Sequence, residues 1–504
     1  MKFVKLFLAS SILFFSLPVL AMADYQDQRV NFFVESSYDK QSSSQVYASL
    51  KKISNNAYFY IEDTWWSSLD PKKIDSITAS LNNLSAEFDS KIYPILTSQF
   101  GSERKPGIDN DNRITVLISP MKGSIRGYFR NNDEYERNLM PNSNQREMVY
   151  FNADHLSNSF AKSFLAHEFT HLIQFNQKDL AYDVTDDTWL AEARSEFAIT
   201  LLGYNNSYDQ SNLKIRVQDF LDYPFDSLTE WRGQTYDYGV VNLFVHYLVE
   251  QYGVEILSDS LHSPQTGTAS INQYIKDHDP GMDFNKVFNN WGMAVLLNDC
   301  SLGEKYCYKS PALSKVRIVP FNNFLPFSGD SALSLGQTMT EWSCHWQKFT
   351  GGKDGLKIDF RSSSPSANFK VNYLIEDKFG NISISSLTLD KNKKAQLLIN
   401  DFSGNDNSII IIPCLDAKSV QTAADSEQSF TYYLNASTVA KTPDSGNQGN
   451  NGGTDGNNDQ GGDTGNSTEV KLPFTVSKPL AQMSTQELLM VVVRLILWQK
   501  GLSL

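Results

Sequence analysis

The chain has 504 residues, 57 aspartates and glutamates against 44 lysines and arginines, a formal net charge of −13, and 41% hydrophobic residues. So acidic a chain is a poor match for nucleic acid, and its length allows two or three domains with a substantial core. At the N-terminus, Lys2 and Lys5 precede an apolar run from Leu6 to Leu20 that closes in Ala21-Met22-Ala23. This is the pattern of a secretory signal peptide with a small-residue cleavage site over residues 1–23. The run is short for a membrane span, and no cysteine stands near the cleavage point. The mature chain is expected to begin at Asp24 and to be exported.

Residues 28–62 alternate in the manner of strands, as in Val30-Asn31-Phe32-Phe33-Val34 and Ala57 to Glu62. Over 71–99, Ile74, Ile77, Leu81, Leu84, Phe88 and Ile92 follow a helical period, and Pro94 bends or ends the first part. Gly107-Ile108-Asp109-Asn110-Asp111 then precedes a buried strand, Ile114 to Ile118. Asp109 and Asp111 form a D-x-D pair that could hold Ca²⁺. The glycine and final glutamate of an EF-hand loop are missing, and an Asx-rich turn accounts for the same residues. Gly127 to Phe129 and Met148 to Phe151 read as further strands, and His155 as structural.

The stretch that carries chemistry is Ala166-His167-Glu168-Phe169-Thr170-His171-Leu172. Residues four apart on a helix share a face, so His167 and His171 point the same way. Two neutral imidazoles so placed can share one Zn²⁺, with Glu168 beside it as a general base toward water. Phe160, Phe164, Leu165, Leu172 and Phe175 give the flanks the spacing of a buried helix. A catalytic zinc needs a third protein ligand and an open fourth position. Trp189 to Ala198 reads as a second helix, and residues 172–191 suffice to end one helix, cross a loop and begin an antiparallel one. Glu192 is the candidate third ligand. Glu196, one turn on, can accept a proton from the other ring nitrogen of a ligating histidine. The competing explanation is histidines and glutamates with ordinary helix roles. A metzincin would need glycine at 174 and histidine at 177, where this chain has Gln174 and Gln177. Asp183, Asp186 and Asp187 read as the connecting loop.

HEFTH followed by WLAEARSE resembles a gluzincin, the clan that includes thermolysin and the aminopeptidase N group. Within it, LAHEFTHLIQFNQK, TWLAEARSEFA and TYDYGVVNLFVHYL resemble the hyicolysin-type neutral metallopeptidases of bacteria, over roughly residues 85 to 260. One departure is Ala191-Glu192-Ala193, where related proteins usually carry Asn-Glu-Gly. The resemblance implies an α+β gluzincin-like catalytic module with a thermolysin-like zinc-helix core. It implies a protein or peptide substrate and a bacterial protein that is periplasmic or extracellular. It also implies an edge strand that binds the substrate backbone by β-addition, with Ile125 to Arg130 as the candidate. The aminopeptidase branch carries Tyr-x-Lys-Gly just before a helix. Tyr236-Asp237-Tyr238-Gly239 puts Tyr236 on the matching position as oxyanion donor, with Tyr238 in place of the lysine; a tyrosine simply packed at a helix start is the alternative. The expected activity is that of a secreted zinc-dependent metalloendopeptidase with Glu168 as general base. An aminopeptidase of the same clan is the alternative, although no G-x-M-E-N strand for a free amine is present. The rival from another class is a non-catalytic surface binding protein with a vestigial zinc site, and the intact His167, His171, Glu168 and Glu192 argue against it.

Val240 to Leu248 continues as an apolar helix, and Gly281 to Leu297 reads as the helix that closes a catalytic module over 24–325, α/β to about residue 155 and helical after. His246, His262, His278 and His345 have no partner spacing. Four cysteines allow three pairings. Cys300–Cys307 would close a tight loop around Gly303 and Cys344–Cys414 would staple the C-terminal module; these are preferred over a cysteine-rich metal site, since no C-x-x-C occurs. Short apolar runs separated by turn residues over 331–437 suggest a β-sandwich of about seven strands. Residues 438–468 are a Gly/Asn/Asp-rich segment expected to be a disordered linker. In the tail, 469–504, the apolar run Leu488 to Trp498 is interrupted by Arg494 and is too short to span a membrane.

Overall fold

The computed structural model describes residues 23–417 and 427–441. The expected signal segment, nearly all of the 438–468 segment and the C-terminal tail lie outside the described residues. By their internal contacts the described residues form two units, one of 23–186, 194–207 and 261–264, the other of 187–193, 208–260 and 265 onward. The protein is a mixed α+β structure with several sheets.

The first unit is built on a six-stranded sheet: β1 (Arg29–Phe33), β2 (Gln45–Ile53), β3 (Ala57–Glu62), β4 (Ile114–Ser119), β5 (Gly127–Phe129) and β6 (Met148–Asn152). Its order is β1-β2-β3-β4-β6-β5. β3, β4 and β6 run parallel to one another and are buried at every position, as strands covered on both faces must be. β5 pairs antiparallel with β6 and forms one edge. One face gathers an aromatic cluster around Phe32, Tyr58, Tyr60 and Tyr150. Two of these phenols keep their hydroxyls paired, Tyr58 donating to Asp111 and Tyr60 to Asp24, both at 2.7 Å.

After α1 (Asp63–Ser67), the helix expected over 71–99 is present in two pieces, α2 (Pro71–Glu87) and α3 (Tyr93–Phe100), joined by a π-helical turn, Phe88–Ile92. Asp70 caps α2 by accepting from Lys73 N at 2.9 Å, with Pro71 in the first turn, where a missing N–H costs nothing. Pro94 likewise falls in the first turn of α3. The wide turn keeps Phe88, Ile92, Leu96 and Phe100 all fully buried. α4 (Ala161–Gln174) packs on β5 and β6 and runs into a second π turn, Phe175–Leu180. α5 (Thr188–Leu201) follows.

Further helices are α6 (Asn212–Asp222), α7 (Thr235–Tyr252), α8 (Glu255–Leu261), α9 (Gly267–His278) and α10 (Phe284–Leu297). α6 and α7 cross at Gly239, where a Cβ would stand 2.5 Å from Phe220 N. No helix among the described residues is long and apolar enough to cross a membrane.

Two sheets then share one core. β7 (Phe321–Leu325), β9 (Ser343–Cys344), β10 (Gln347–Gly351), β12 (Asn368–Asp377), β13 (Ile382–Leu387) and β15 (Asp406–Asp416) make one, in the order β13-β12-β15-β10-β7 with β9 beside β15. β8 (Ala332–Thr340), β11 (Gly355–Ser362), β14 (Lys394–Ile399) and β16 (Ser429–Val439) make the other, in the order β14-β11-β16-β8; α11 (Phe402–Asn405) precedes β15. Phe349, Val371, Ile409 and Ile411 from the first meet Ile358, Phe360, Tyr432 and Leu434 from the second. β7 and β8 go beyond the expected strands. Both lie at sheet edges, and β7 leaves Phe321 and Phe324 exposed, so no apolar alternation marks it.

Both disulfides, Cys300–Cys307 and Cys344–Cys414, are formed. Cys344 stands directly opposite Cys414 in the β9/β15 ladder. α10 lies against this bridge through Gly292, whose hypothetical Cβ would be 2.7 Å from Cys344 Sγ and 3.1 Å from Cys414 Sγ. Trp346 Nε1 adds a 2.8 Å hydrogen bond to Gly292 O. A methyl group here has nowhere to go. Gly292→Ala is expected to lower stability by about 1–3 kcal/mol, the usual scale of core overpacking, whereas Gly281→Ala, with its nearest neighbour at 3.6 Å, should change the thermal midpoint little. Equal midpoints for the two variants would contradict this packing.

Candidate metal centre

α4 is buried along almost its whole length, and His167 and His171 are its half-buried positions within the H-E-x-x-H stretch. The i, i+4 spacing brings the two rings to a centroid distance of 4.9 Å and His171 Nε2 to 3.1 Å from His167 Nε2. Zinc–nitrogen bonds of about 2.0–2.1 Å in a tetrahedron would hold two imidazole nitrogens about 3.3 Å apart, so this spacing fits one shared ion. One ligand atom from each of His167, His171 and Glu192 lies within 4.8 Å of the others. Two imidazoles and one carboxylate, all half-buried, are the donor set of a three-ligand site with an open position. The other nitrogen of His167, Nδ1, faces Glu196 Oε1 at 3.6 Å.

Glu168 is 7% exposed, on the side of α4 turned toward β5. A Cβ on Gly127 would stand 2.9 Å from Glu168 Cγ and 3.0 Å from Glu168 Oε1, and 2.7 Å from Tyr150 O. Only glycine lets the edge strand approach this carboxylate so closely. Gly127 was not singled out from the sequence; the signal available was a glycine opening a very short strand.

The joint between α4 and α5 is ionic. Arg194 is fully buried; its Nη1 donates to Asp186 Oδ2 at 2.6 Å and to Gln174 Oε1 at 3.2 Å. Gln174 Nε2 donates to Ser195 Oγ at 3.1 Å, and Lys178 Nζ lies 3.9 Å from Asp186. Asp186, expected as an ordinary loop residue, is therefore an internal counter-ion. Gln177, at the position where a metzincin would place its third histidine, donates to Ser102 O at 2.6 Å.

Asp109 and Asp111 form a turn. Asp109 Oδ1 accepts from Asp111 N at 2.9 Å, and Asp111 accepts from Arg113 N at 2.9 Å and from Tyr58. Asn110 takes a positive φ of 64°. These hydrogen bonds are those of an Asx-rich turn.

Tyr236 is half-buried at the start of α7, its ring 4.9 Å from that of Tyr223. Tyr238 lies under the Arg216 guanidinium at 4.4 Å. Between them Asp237 caps the helix, its Oδ2 accepting from Arg232 N at 2.8 Å and Gln234 N at 2.9 Å. Asp237 also lies beside buried Asp226.

Over about half its length the chain is distantly related to a neutral metalloprotease. The relative is the neutral metalloprotease ShpI of Staphylococcus hyicus, 26% identical over 302 residues that cover 55% of this chain and 64% of that protein. The match thus spans less than two thirds of the relative. No known family profile matches the chain. Among solved structures, the mitogen from Yersinia pseudotuberculosis aligns at 13% identity over 23% of this chain and 92% of its own, with a TM-score of 0.15. The periplasmic inhibitor PliG of g-type lysozyme from Aeromonas hydrophila aligns at 12% identity over 23% and 94%, with a TM-score of 0.16. Scores this low carry no inference.

Asp226 yields a prediction about the helix that bears Tyr236. Burial, and then the neighbouring Asp237, push its carboxyl up to about 8. A carboxyl raised in the fold contributes stability that is complete below its ordinary value and is lost as pH rises through the folded value. The wild type should therefore lose stability between about pH 4 and pH 8 relative to Asp226→Asn, whose amide does not titrate. Denaturant midpoints across that range test this; parallel curves for the two proteins would show that the fold does not raise the Asp226 carboxyl.

Proposed function

We propose that the protein is a secreted zinc-dependent metalloendopeptidase. The observation that carries this reading is the convergence of His167, His171 and Glu192 around an H-E-x-x-H helix whose Glu168 is buried beneath an edge strand. His167, His171 and Glu192 would hold the ion, and Glu196 would accept from His167 Nδ1, fixing the tautomer that leaves Nε2 free to ligate. Zinc, when bound, supplies a Lewis acid that acidifies water and polarises a peptide carbonyl. Glu168 would take the proton of the attacking water and hand it to the leaving amine. Its burial beside Gly127 holds the carboxylate in one place. β5 is an edge strand with one unpaired side, so an extended peptide can add to it and be aligned beside Glu168 without any need for a free terminus. Tyr236 would donate to the oxyanion. The leader-like first residues and the two disulfides support export to an oxidising compartment.

The reading is tested by metal content and casein cleavage of the purified chain, with and without a chelator. Ala at His167, His171 or Glu192 should abolish zinc binding together with activity, and Glu196→Ala should weaken zinc affinity roughly 10- to 100-fold. Glu168→Gln should retain zinc and lose turnover. A Glu168→Gln protein that digests casein normally would sink the mechanism.

Tyr236 separates from these by its kinetic signature. Tyr236→Phe should keep zinc and KM and lower kcat by roughly 10²-fold or more, the scale of a lost oxyanion donor; Tyr238→Phe should do much less. The reverse ranking would transfer the role to Tyr238.

A further inference from the structure

The face of α4 that carries His167, Glu168 and His171 continues one turn toward the start of the helix, to Phe164. At about 100° per residue, Phe164 points between Glu168, about 40° to one side, and His167, about 60° to the other. It stands about 6 Å before Glu168 along the helix axis. Phe164 is buried, and the Arg126 guanidinium lies over its ring, 4.9 Å from the centroid. The His155 and Phe160 rings flank it, with centroids 5.4 Å and 6.1 Å away.

Arg126 is half-buried and immediately precedes β5. Its carbonyl oxygen accepts from Asn152 N at 2.9 Å, which ties its backbone to the end of β6. The next residue, Gly127, is the one that lets the backbone approach Glu168. Backbone that meets Glu168 and a guanidinium on the same face of α4 are therefore neighbours in the chain. A peptide added to β5 would cross Glu168 at Gly127. At about 3.3 Å per residue, it would reach the turn of α4 that bears Phe164 about two residues later.

The positive charge at this corner is that of Arg126. Burial, and then Arg126 itself, lower the His155 imidazole below its ordinary value, so His155 is neutral at neutral pH. Asp154, beside it in the chain, is held by Lys40 at 3.2 Å. The two carboxylates of the candidate metal centre, Glu168 and Glu192, would be matched in charge by one bound zinc ion. A guanidinium resting on a ring has less freedom to lose when it grips a partner, and its fork of donors matches a carboxylate. A lysine or arginine in the same place would meet like charge, and an apolar side chain would leave the donors without an acceptor.

Resting on the peptidase reading above, we propose that Arg126 is a specificity-determining residue. It receives an aspartate or glutamate side chain of the substrate, about one or two residues from the cleaved bond and always on the same flank of it. The substrates are then acidic polypeptide segments. The wild type is given casein and unfolded serum albumin, and the cuts are located by mass spectrometry. An acidic residue is expected at one such position, above its frequency in the two proteins. Quenched peptides built on one of these sites, with Glu or Gln there, should differ roughly tenfold or more in kcat/KM in favour of Glu, the scale of a hydrogen-bonded charge. The ratio is read within each protein, so a general loss of activity cancels. It should fall to about one in Arg126→Gln, and Arg126→Glu should prefer a Lys peptide to the Glu peptide. Glu168→Gln should bind the Glu peptide more tightly than the Gln peptide in fluorescence anisotropy, and adding Arg126→Gln should remove that difference. Cuts without an acidic position, a Glu preference that survives in Arg126→Gln, or no reversal in Arg126→Glu would each overturn the proposal and leave the peptidase reading standing. A wild type that cuts neither protein would overturn both.

Discussion

A buried guanidinium organises the part of this protein that carries H-E-x-x-H. Arg194 has no exposure to solvent and holds Asp186 at 2.6 Å. Two charges removed from water stabilise a fold only when their geometry is good and their remaining valences are filled. Here they are: Gln174 accepts from the same guanidinium nitrogen and itself donates to Ser195, and Lys178 approaches the carboxylate. Gln174 closes the helix of the two histidines. Arg194 stands two residues after Glu192 on a single continuous helix. The ionic joint therefore fixes the Arg194 side of α5 against the end of α4. Removing one partner of such a pair leaves an uncompensated charge, a loss of about 3–5 kcal/mol, so this joint tolerates little change.

The local part of this arrangement was legible in the sequence. His167 and His171 share a face because helical geometry requires it, and the residues between them and Glu192 provide for a second helix. Buried strands such as β4 and the apolar stripes of α2 and α10 were legible for the same reason, because one short window carries the signal. What escaped depends on partners distant in the chain. Nothing around Gly127 announces Glu168, forty-one positions later by the numbering. Asp186 looks like any polar loop residue until Arg194 is folded onto it. The arginine carried a faint sign of its own, a charge set among Ala193, Phe197 and Ala198. Strand β7 gave no alternation because its large side chains face outward at a sheet edge.

The two glycines that matter most have unlike tasks. Gly127 brings backbone to a carboxylate, and Gly292 brings a helix to a pair of sulfurs. In both cases the missing side chain makes room for a group of different chemistry, and neither residue needs a positive φ. The sulfur bridge beneath Gly292 also supports the wall of a polar cavity, since α10 contributes Asn285 and Asn289 to it.

The π turn between α2 and α3 bears on how chain length can vary here. Phe88, Ile92, Leu96 and Phe100 repeat every four residues and all are buried. An ordinary α-helix would rotate such a series by about 40° at each step, and the wider turn takes up that drift. Loops absorb an insertion or deletion by bulging or tightening. A single codon lost within 88–92 would instead turn α3 by about 100° and swing Leu96 and Phe100 out of the interior. Indels in this segment should therefore be filtered out in any lineage that keeps the fold, although the segment has no residue of the candidate metal centre.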